Sequence, residues 1–194
     1  MIEPYIRPLY QNVVGDPMAR LIGKILSPNK ITVIGVLTGV GIAPALFYEQ
    51  TLLALILLAL SGLFDTLDGT VARLFYQHSP YGTALDIVGD RIVEFAILLG
   101  LYFVSSEDRA FDVLIMLGSI LICVTSFLVV GIFSENSSSK SFHYSPGLME
   151  RPEAFVFFAA MILFPEFFHM LAFLFTFLVT LTAVIRMAEF KSVS

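Results

Sequence analysis

Residues 65–90 read DTLDGTVARLFYQHSPYGTALDIVGD, flanked by LLALILLALSGLF at 52–64 and RIVEFAILLGLYFV at 91–104. The flanks are apolar enough to enter a membrane, and they draw Asp65, Asp68, Asp86 and Asp90 in with them. An ionised aspartate at that depth costs on the order of 2.5 to 3.5 kcal/mol even on lenient insertion scales, so such residues mark metal, proton or substrate sites.

Spacing places the carboxylates together. Asp65, Asp68, Gly69 and Ala72 fall at i, i+3, i+4 and i+7, one face of a helix, and Gly82, Asp86 and Asp90 fall at i, i+4 and i+8 on a second. A short turn around Gln77 to Pro80 joins the two segments, which must then run antiparallel as neighbours. About that turn Asp65 pairs in depth with Asp90, and Asp68 with Asp86, roughly 10 to 18 Å in from the turn at about 1.5 Å per residue. Clustered carboxylates in a low dielectric cannot all stay ionised without cations. Hard oxygen ligands in this arrangement suit Mg²⁺ or Mn²⁺, and two such ions about 3.5 to 4 Å apart would clamp a diphosphate for in-line displacement. Arg73, one turn nearer the mouth, is placed to hold a phosphate oxygen, and Gly69, Ala72 and Gly82 leave room for a bulky polar group. The competing reading, structural ion pairs with Arg73 and Arg91, sets four acids against two bases and gives the small residues no role.

Composition extends the membrane reading outward. Of 194 residues 57% are hydrophobic, 19 are Phe and only 14% are charged, far from a soluble domain. Six apolar spans follow, at 29–49, 51–75, 81–105, 109–133, 150–165 and 167–189. The fifth is the shortest, and Pro165 with Glu166 points to a tight turn into the sixth. The expected fold is an all-α integral membrane protein: an amphipathic interfacial helix over residues 1–28, broken near Gly15 and Pro17, then a six-helix transmembrane domain over 29–194. Glu3, Pro4, Arg7 and Pro8 interrupt the start of the chain and argue against a cleaved signal peptide.

Both termini and the second and fourth loops then share one side. That side holds Arg7, Arg20, Lys24, Lys30, Arg73, Lys140, Arg151, Arg186 and Lys191, whereas the opposite loops offer Arg109. The positive-inside rule makes the rich side cytoplasmic, and the carboxylates open toward it. Lysines and arginines are scattered rather than clustered, which speaks against nucleic-acid binding. Cys123, alone in an apolar run, reads as a packed membrane cysteine. Residues 134–147, SENSSSKSFHYSPG, have the composition of a flexible loop, either a plain connector or a segment that gates or holds substrate.

The hairpin residues match the signature D-x2-D-G-x2-A-R-x8-G-x3-D-x3-D at Asp65, Asp68, Gly69, Ala72, Arg73, Gly82, Asp86 and Asp90. In this the chain resembles the CDP-alcohol phosphotransferase (CDP-alcohol phosphatidyltransferase) family of integral-membrane lipid-synthesis enzymes. Pro28, Asn29 and Thr32, entering the first span, resemble that family's PNxxT element. The resemblance implies that an acceptor hydroxyl attacks the lipid-side phosphorus of CDP-diacylglycerol and releases CMP. It implies that Asp65, Asp68 and Asp86 bind one Mg²⁺ or Mn²⁺, that Asp65, Asp86 and Asp90 bind a second, and that Asp90 is the catalytic base. It further implies that Pro28, Asn29, Ile31, Thr32, Gly69, Ala72, Arg73, Ser79 and Gly82 surround the cytidine diphosphate, and that the protein is a homodimer.

For the acceptor, Asp90-Arg91 with Glu94, the segment GLMERPE at 147–153 and Arg186 resemble the inositol-phosphate branch. Two features depart from it: LVVGIFSEN at 128–136 lacks that branch's basic residues, and Ala154 stands where it tends to have Arg. Arg151, Arg186 and Lys140 are the cations left to bind an acceptor phosphate, and inositol phosphate, free inositol, another polyol and glycerol 3-phosphate all stay open. An intramembrane prenyltransferase would carry more spans and separate Asp-rich loops. A cation transporter with an acidic ion path would explain the aspartates but leave Gly69, Ala72, Gly82 and Arg73 without a function.

Overall fold

A computed structural model of the chain describes Gln11 and residues 15–75, 79–133 and 147–193, and among these every regular element is a helix. In chain order they are α1 (Asp16–Ile22), α2 (Pro28–Val40), α3 (Ile42–Phe47), α4 (Thr51–Leu74), α5 (Pro80–Val104), α6 (Ser106–Phe133), α7 (Arg151–Leu163), a 3₁₀ turn (Pro165–Phe167) and α8 (Phe168–Val193). Prolines start several of them. Pro17, Pro28 and Pro152 occupy the first turn of α1, α2 and α7, where the missing N–H has no intrahelical partner to lose.

Four stretches are long and apolar enough to cross a membrane: Pro28–Phe47, Thr51–Leu74, Ser106–Phe133 and Pro165–Ser192. Their outward faces carry Leu52, Ile56, Leu121, Ile122, Phe173 and Phe177, large apolar side chains that water would penalise and lipid would not. The protein is an integral membrane protein. Helix α5 has 25 residues but carries Asp86, Asp90, Arg91 and Glu94, and α7 has 13. The expected first span is present as Pro28–Phe47, interrupted at the single residue Gly41 between α2 and α3. Pro44 accounts for the break: its ring clashes with the carbonyl four residues back, at Val40, and it has no N–H to donate there. Of the expected interfacial helix the described part is Gln11 and residues 15–28, in which the helical segment is α1; residues 134–146 and 76–78 lie outside the described residues.

The chain divides into two compact units, one ending at Val104 and the other beginning at Ser105. In the first, α2 packs on α4 and α5, α3 packs on the same pair, and α1 lies on α4. Ala19, Ile31, Leu67 and Val71 form the buried contact of α1, α2 and α4. Glycines bring the helices close: a Cβ on Gly39 would lie 2.6 Å from Val93 Cγ2, and one on Gly89 would lie 2.6 Å from Val36 Cγ2. The hydroxyl of Ser61 donates to the Gly35 carbonyl at 3.0 Å, satisfying a polar group that the bilayer would not.

In the second unit α6 packs along α8, and α7 packs on α8 through Phe158 and Phe175, whose ring centroids are 5.4 Å apart. At one end of this pair Arg109 donates to the Pro165 carbonyl at 3.4 Å and lies 4.1 Å over the Phe168 ring. His169 sits there between Asp112 at 2.6 Å and Asp108 at 3.1 Å. Toward the other end Met149 N–H donates to Thr182 Oγ1 at 3.0 Å.

Candidate active site

Helices α4 and α5 each present one carboxylate stripe, as their spacing predicts. Asp65, Asp68 and Asp86 each offer an oxygen to a group whose members lie within 4.8 Å of one another. These are the three residues that the sequence resemblance assigns to a single ion. All donors are carboxylate oxygens, the hard ligands that Mg²⁺ and Mn²⁺ prefer, so the set fits a divalent cation.

Asp68 is the most enclosed of the three, 6% exposed, and it is held from outside the hairpin. Thr32, on α2, donates its hydroxyl to Asp68 Oδ2 at 2.5 Å, within the range of charge-assisted hydrogen bonds. The same hydroxyl oxygen lies 3.1 Å from the Pro28 carbonyl. A hydroxyl carries one proton, and the shorter, charged acceptor takes it. The PNxxT element therefore supports the metal-type cluster directly, 36 residues away in sequence. Pro28 and Ile31 are buried in the first turn of α2, Ile31 against Ala19, Leu67 and Val71.

Asp90 is not one of the three clustered carboxylates. It lies one turn beyond Asp86 on α5, with the Arg91 guanidinium 3.8 Å from its Oδ2 and 2.7 Å from buried Glu94. Arg91 thus ties Asp90 to Glu94 along one helix.

Small residues line the approach. A Cβ on Gly82 would meet Asn29 Oδ1 at 3.0 Å and Ser79 Oγ at 3.1 Å, so Asn29, Ser79 and Gly82 converge although they start two different helices and a turn. Ser79 caps α5 by accepting from the Gly82 N–H at 3.0 Å. Arg73 is exposed, with Nη2 donating to Thr70 Oγ1 at 3.0 Å and Nη1 lying 3.4 Å from the point where Gly69 would carry a Cβ. Ala72, beside it, is half-buried.

Of the residues expected to bind an acceptor, Lys140 lies outside the described residues. Arg151 opens α7 with its guanidinium 5.4 Å from the Phe155 ring. Arg186 is buried: its Nη1 donates to the Cys123 carbonyl at 3.0 Å and lies 3.2 Å from Ser126 Oγ, with the guanidinium 5.4 Å from the Phe127 ring. Spacing does not expose this bond, because a cation in an apolar helix looks the same from sequence whether it meets a ligand or a neighbouring helix's carbonyl.

A family model described as CDP-alcohol phosphatidyltransferase matches residues 25–188. A phosphatidylinositol phosphate synthase of Corynebacterium glutamicum is 30% identical over 148 residues, 74% of this chain and 66% of that protein, just under two thirds of its length. Two solved structures of the Mycobacterium tuberculosis phosphatidylinositol phosphate synthase share the fold. The one in complex with manganese and citrate gives a TM-score of 0.74 at 22% identity, over 91% of this chain and 88% of that chain. The one with CDP-DAG bound gives 0.73 at 23%, over 91% and 93%.

Proposed function

The chain belongs to the CDP-alcohol phosphatidyltransferase family, and from that premise we propose that it moves the phosphatidyl group of CDP-diacylglycerol onto the hydroxyl of a polar alcohol and releases CMP. The observation that carries this is the joining of two sequence-distant elements. The three-carboxylate cluster is tied through Asp68 to Thr32, and Asn29 of the same element lies beside Gly82 and Ser79.

Asp65, Asp68 and Asp86 would hold one divalent cation and Asp65, Asp86 and Asp90 a second, and when bound these ions neutralise the diphosphate and polarise its phosphorus–oxygen bonds. Arg73 binds a non-bridging diphosphate oxygen, and Pro28, Asn29, Ile31, Thr32, Gly69, Ala72, Ser79 and Gly82 enclose the cytidine diphosphate. Asp90 accepts the acceptor's hydroxyl proton as that oxygen attacks the lipid-side phosphorus. The bond from this phosphorus to the bridging oxygen breaks, and CMP leaves with its electron pair. Arg91, bonded to Glu94, keeps the Asp90 carboxylate in register for that transfer.

Inositol phosphate is the acceptor that the similarity to phosphatidylinositol phosphate synthases favours. Arg151, Lys140 and Arg186 would bind its phosphate, and free inositol and glycerol 3-phosphate are the competing acceptors. The remaining architecture is proposed as six spans, with α5 and α7 crossing beside the four apolar stretches, and with an interfacial helix before them. The site and both termini face the cytoplasm, and the enzyme works as a homodimer. The biased distribution of Lys and Arg supports the orientation.

Purified protein in mixed micelles should release CMP from CDP-diacylglycerol only with Mg²⁺ or Mn²⁺ and an alcohol. A panel of inositol, inositol phosphate, glycerol 3-phosphate and serine, read by mass spectrometry of the lipid product, assigns the acceptor. Metal-independent turnover, or none with any alcohol, contradicts the proposal.

A further inference from the structure

Two residues at the signature's spacer positions, Thr66 and Thr70, and two residues far upstream, Gln11 and Asp16, form a chain of hydrogen bonds that ends on Arg73. Thr70 is 1% exposed, and its hydroxyl has three neighbours. It donates to the Thr66 carbonyl at 2.7 Å and accepts from Gln11 Nε2 at 2.8 Å and from Arg73 Nη2 at 3.0 Å. A hydroxyl offers one proton and two lone pairs, so these three bonds use it fully. The second proton of the Gln11 amide goes to Asp16 Oδ1 at 2.9 Å, which fixes the amide in turn.

We propose that Thr70, seated by Gln11 and Asp16, is a positioning residue that aims the Arg73 guanidinium at the diphosphate of the CDP-lipid. The inference rests on the proposed role of Arg73. A guanidinium presents its donors in a rigid planar fork. Anchoring Nη2 on a buried, immobile hydroxyl fixes the plane of that fork and leaves the orientation of Nη1 determined, over Gly69. An arginine ordered before the ligand arrives loses less freedom on binding it. The donation from Thr70 to the helix carbonyl also polarises the hydroxyl and strengthens it as an acceptor for both donors. Gln11 and Asp16 belong to the segment that precedes the first span, so that segment acts on the site as well as lying beside it.

The test compares CDP-diacylglycerol kinetics of the wild type, T70V, T70S, Q11L, R73Q and the double variant T70V/R73Q in mixed micelles. Val matches Thr in shape and lacks the hydroxyl, whereas Ser keeps it. T70V should raise the KM for CDP-diacylglycerol roughly fivefold, the size of one net hydrogen bond, with little change in kcat or in the acceptor KM. T70S should recover most of this loss, Q11L should shift KM in the same direction, and T70V should add nothing on the R73Q background. A T70V effect that persists undiminished on R73Q, or a loss of thermal stability with KM unchanged, overturns the inference alone. A wild type that releases no CMP from CDP-diacylglycerol overturns the functional reading and the inference with it.

Discussion

Thr32→Val tests whether the second element of the site supports the first. Thr32 and Asp68 are 8% and 6% exposed and their oxygens are 2.5 Å apart, so water cannot replace the bond once the hydroxyl is gone. A hydrogen bond to a charged group contributes about 1.5 to 3 kcal/mol, equivalent to roughly a 10- to 150-fold change in an equilibrium constant. Removing an outer partner of a metal ligand costs on the order of 10- to 100-fold in metal affinity, which agrees with that range. The carboxylate freed by the substitution must be ordered when the ion binds, and that cost weakens binding. Mn²⁺ titration followed by electron paramagnetic resonance, with no lipid present, reads the affinity independently of turnover. T32V should weaken binding by at least tenfold and T32S should restore it. If T32V binds Mn²⁺ as tightly as wild type, or tighter because a lone pair has been released, the support argument is refuted.

Further expectations follow from packing and polarity. Gly39→Ala puts a methyl 2.6 Å from Val93 Cγ2 and 2.9 Å from Ser61 Oγ, and should cost about 1 to 3 kcal/mol in detergent unfolding; V93A in the same chain should recover part of it. Gly82→Ala would crowd Asn29 and Ser79 at 3.0 and 3.1 Å, and should raise the KM for CDP-diacylglycerol more than it lowers thermal stability. Arg186→Ala removes the bond to the Cys123 carbonyl and should cost about 2 kcal/mol of stability as well as raising the acceptor KM, whereas Arg151→Ala should raise the acceptor KM with stability intact.

The carboxylate cluster was legible because helical period and a short turn are enough to bring Asp65, Asp68 and Asp86 together. The bond from Thr32 to Asp68 has no such signal; 36 residues separate them, and only the likeness of Pro28 to Thr32 to a family element pointed there. Gln11 and Thr70 carry no signal in the sequence, since polar residues at a spacer position and ahead of the first span obey no hydrophobic period. The division of the first span was readable in principle from Pro44, but an apolar count over 20 residues conceals a single missing N–H. Arg186 shows the limit of reading charge in a membrane helix: its cationic character was evident, and its carbonyl partner on α6 was not.

Metal-dependent CMP release from CDP-diacylglycerol, measured for the wild type and for Asp65→Asn with and without a chelator, tests the proposed activity most directly. Asn keeps the shape of Asp65 and removes its charge, so the variant should fold and turnover should fall by orders of magnitude. The wild type should turn over with Mg²⁺ or Mn²⁺ and stop with chelator. Undiminished CMP release by a folded Asp65→Asn protein, or by the wild type in chelator, would contradict the account.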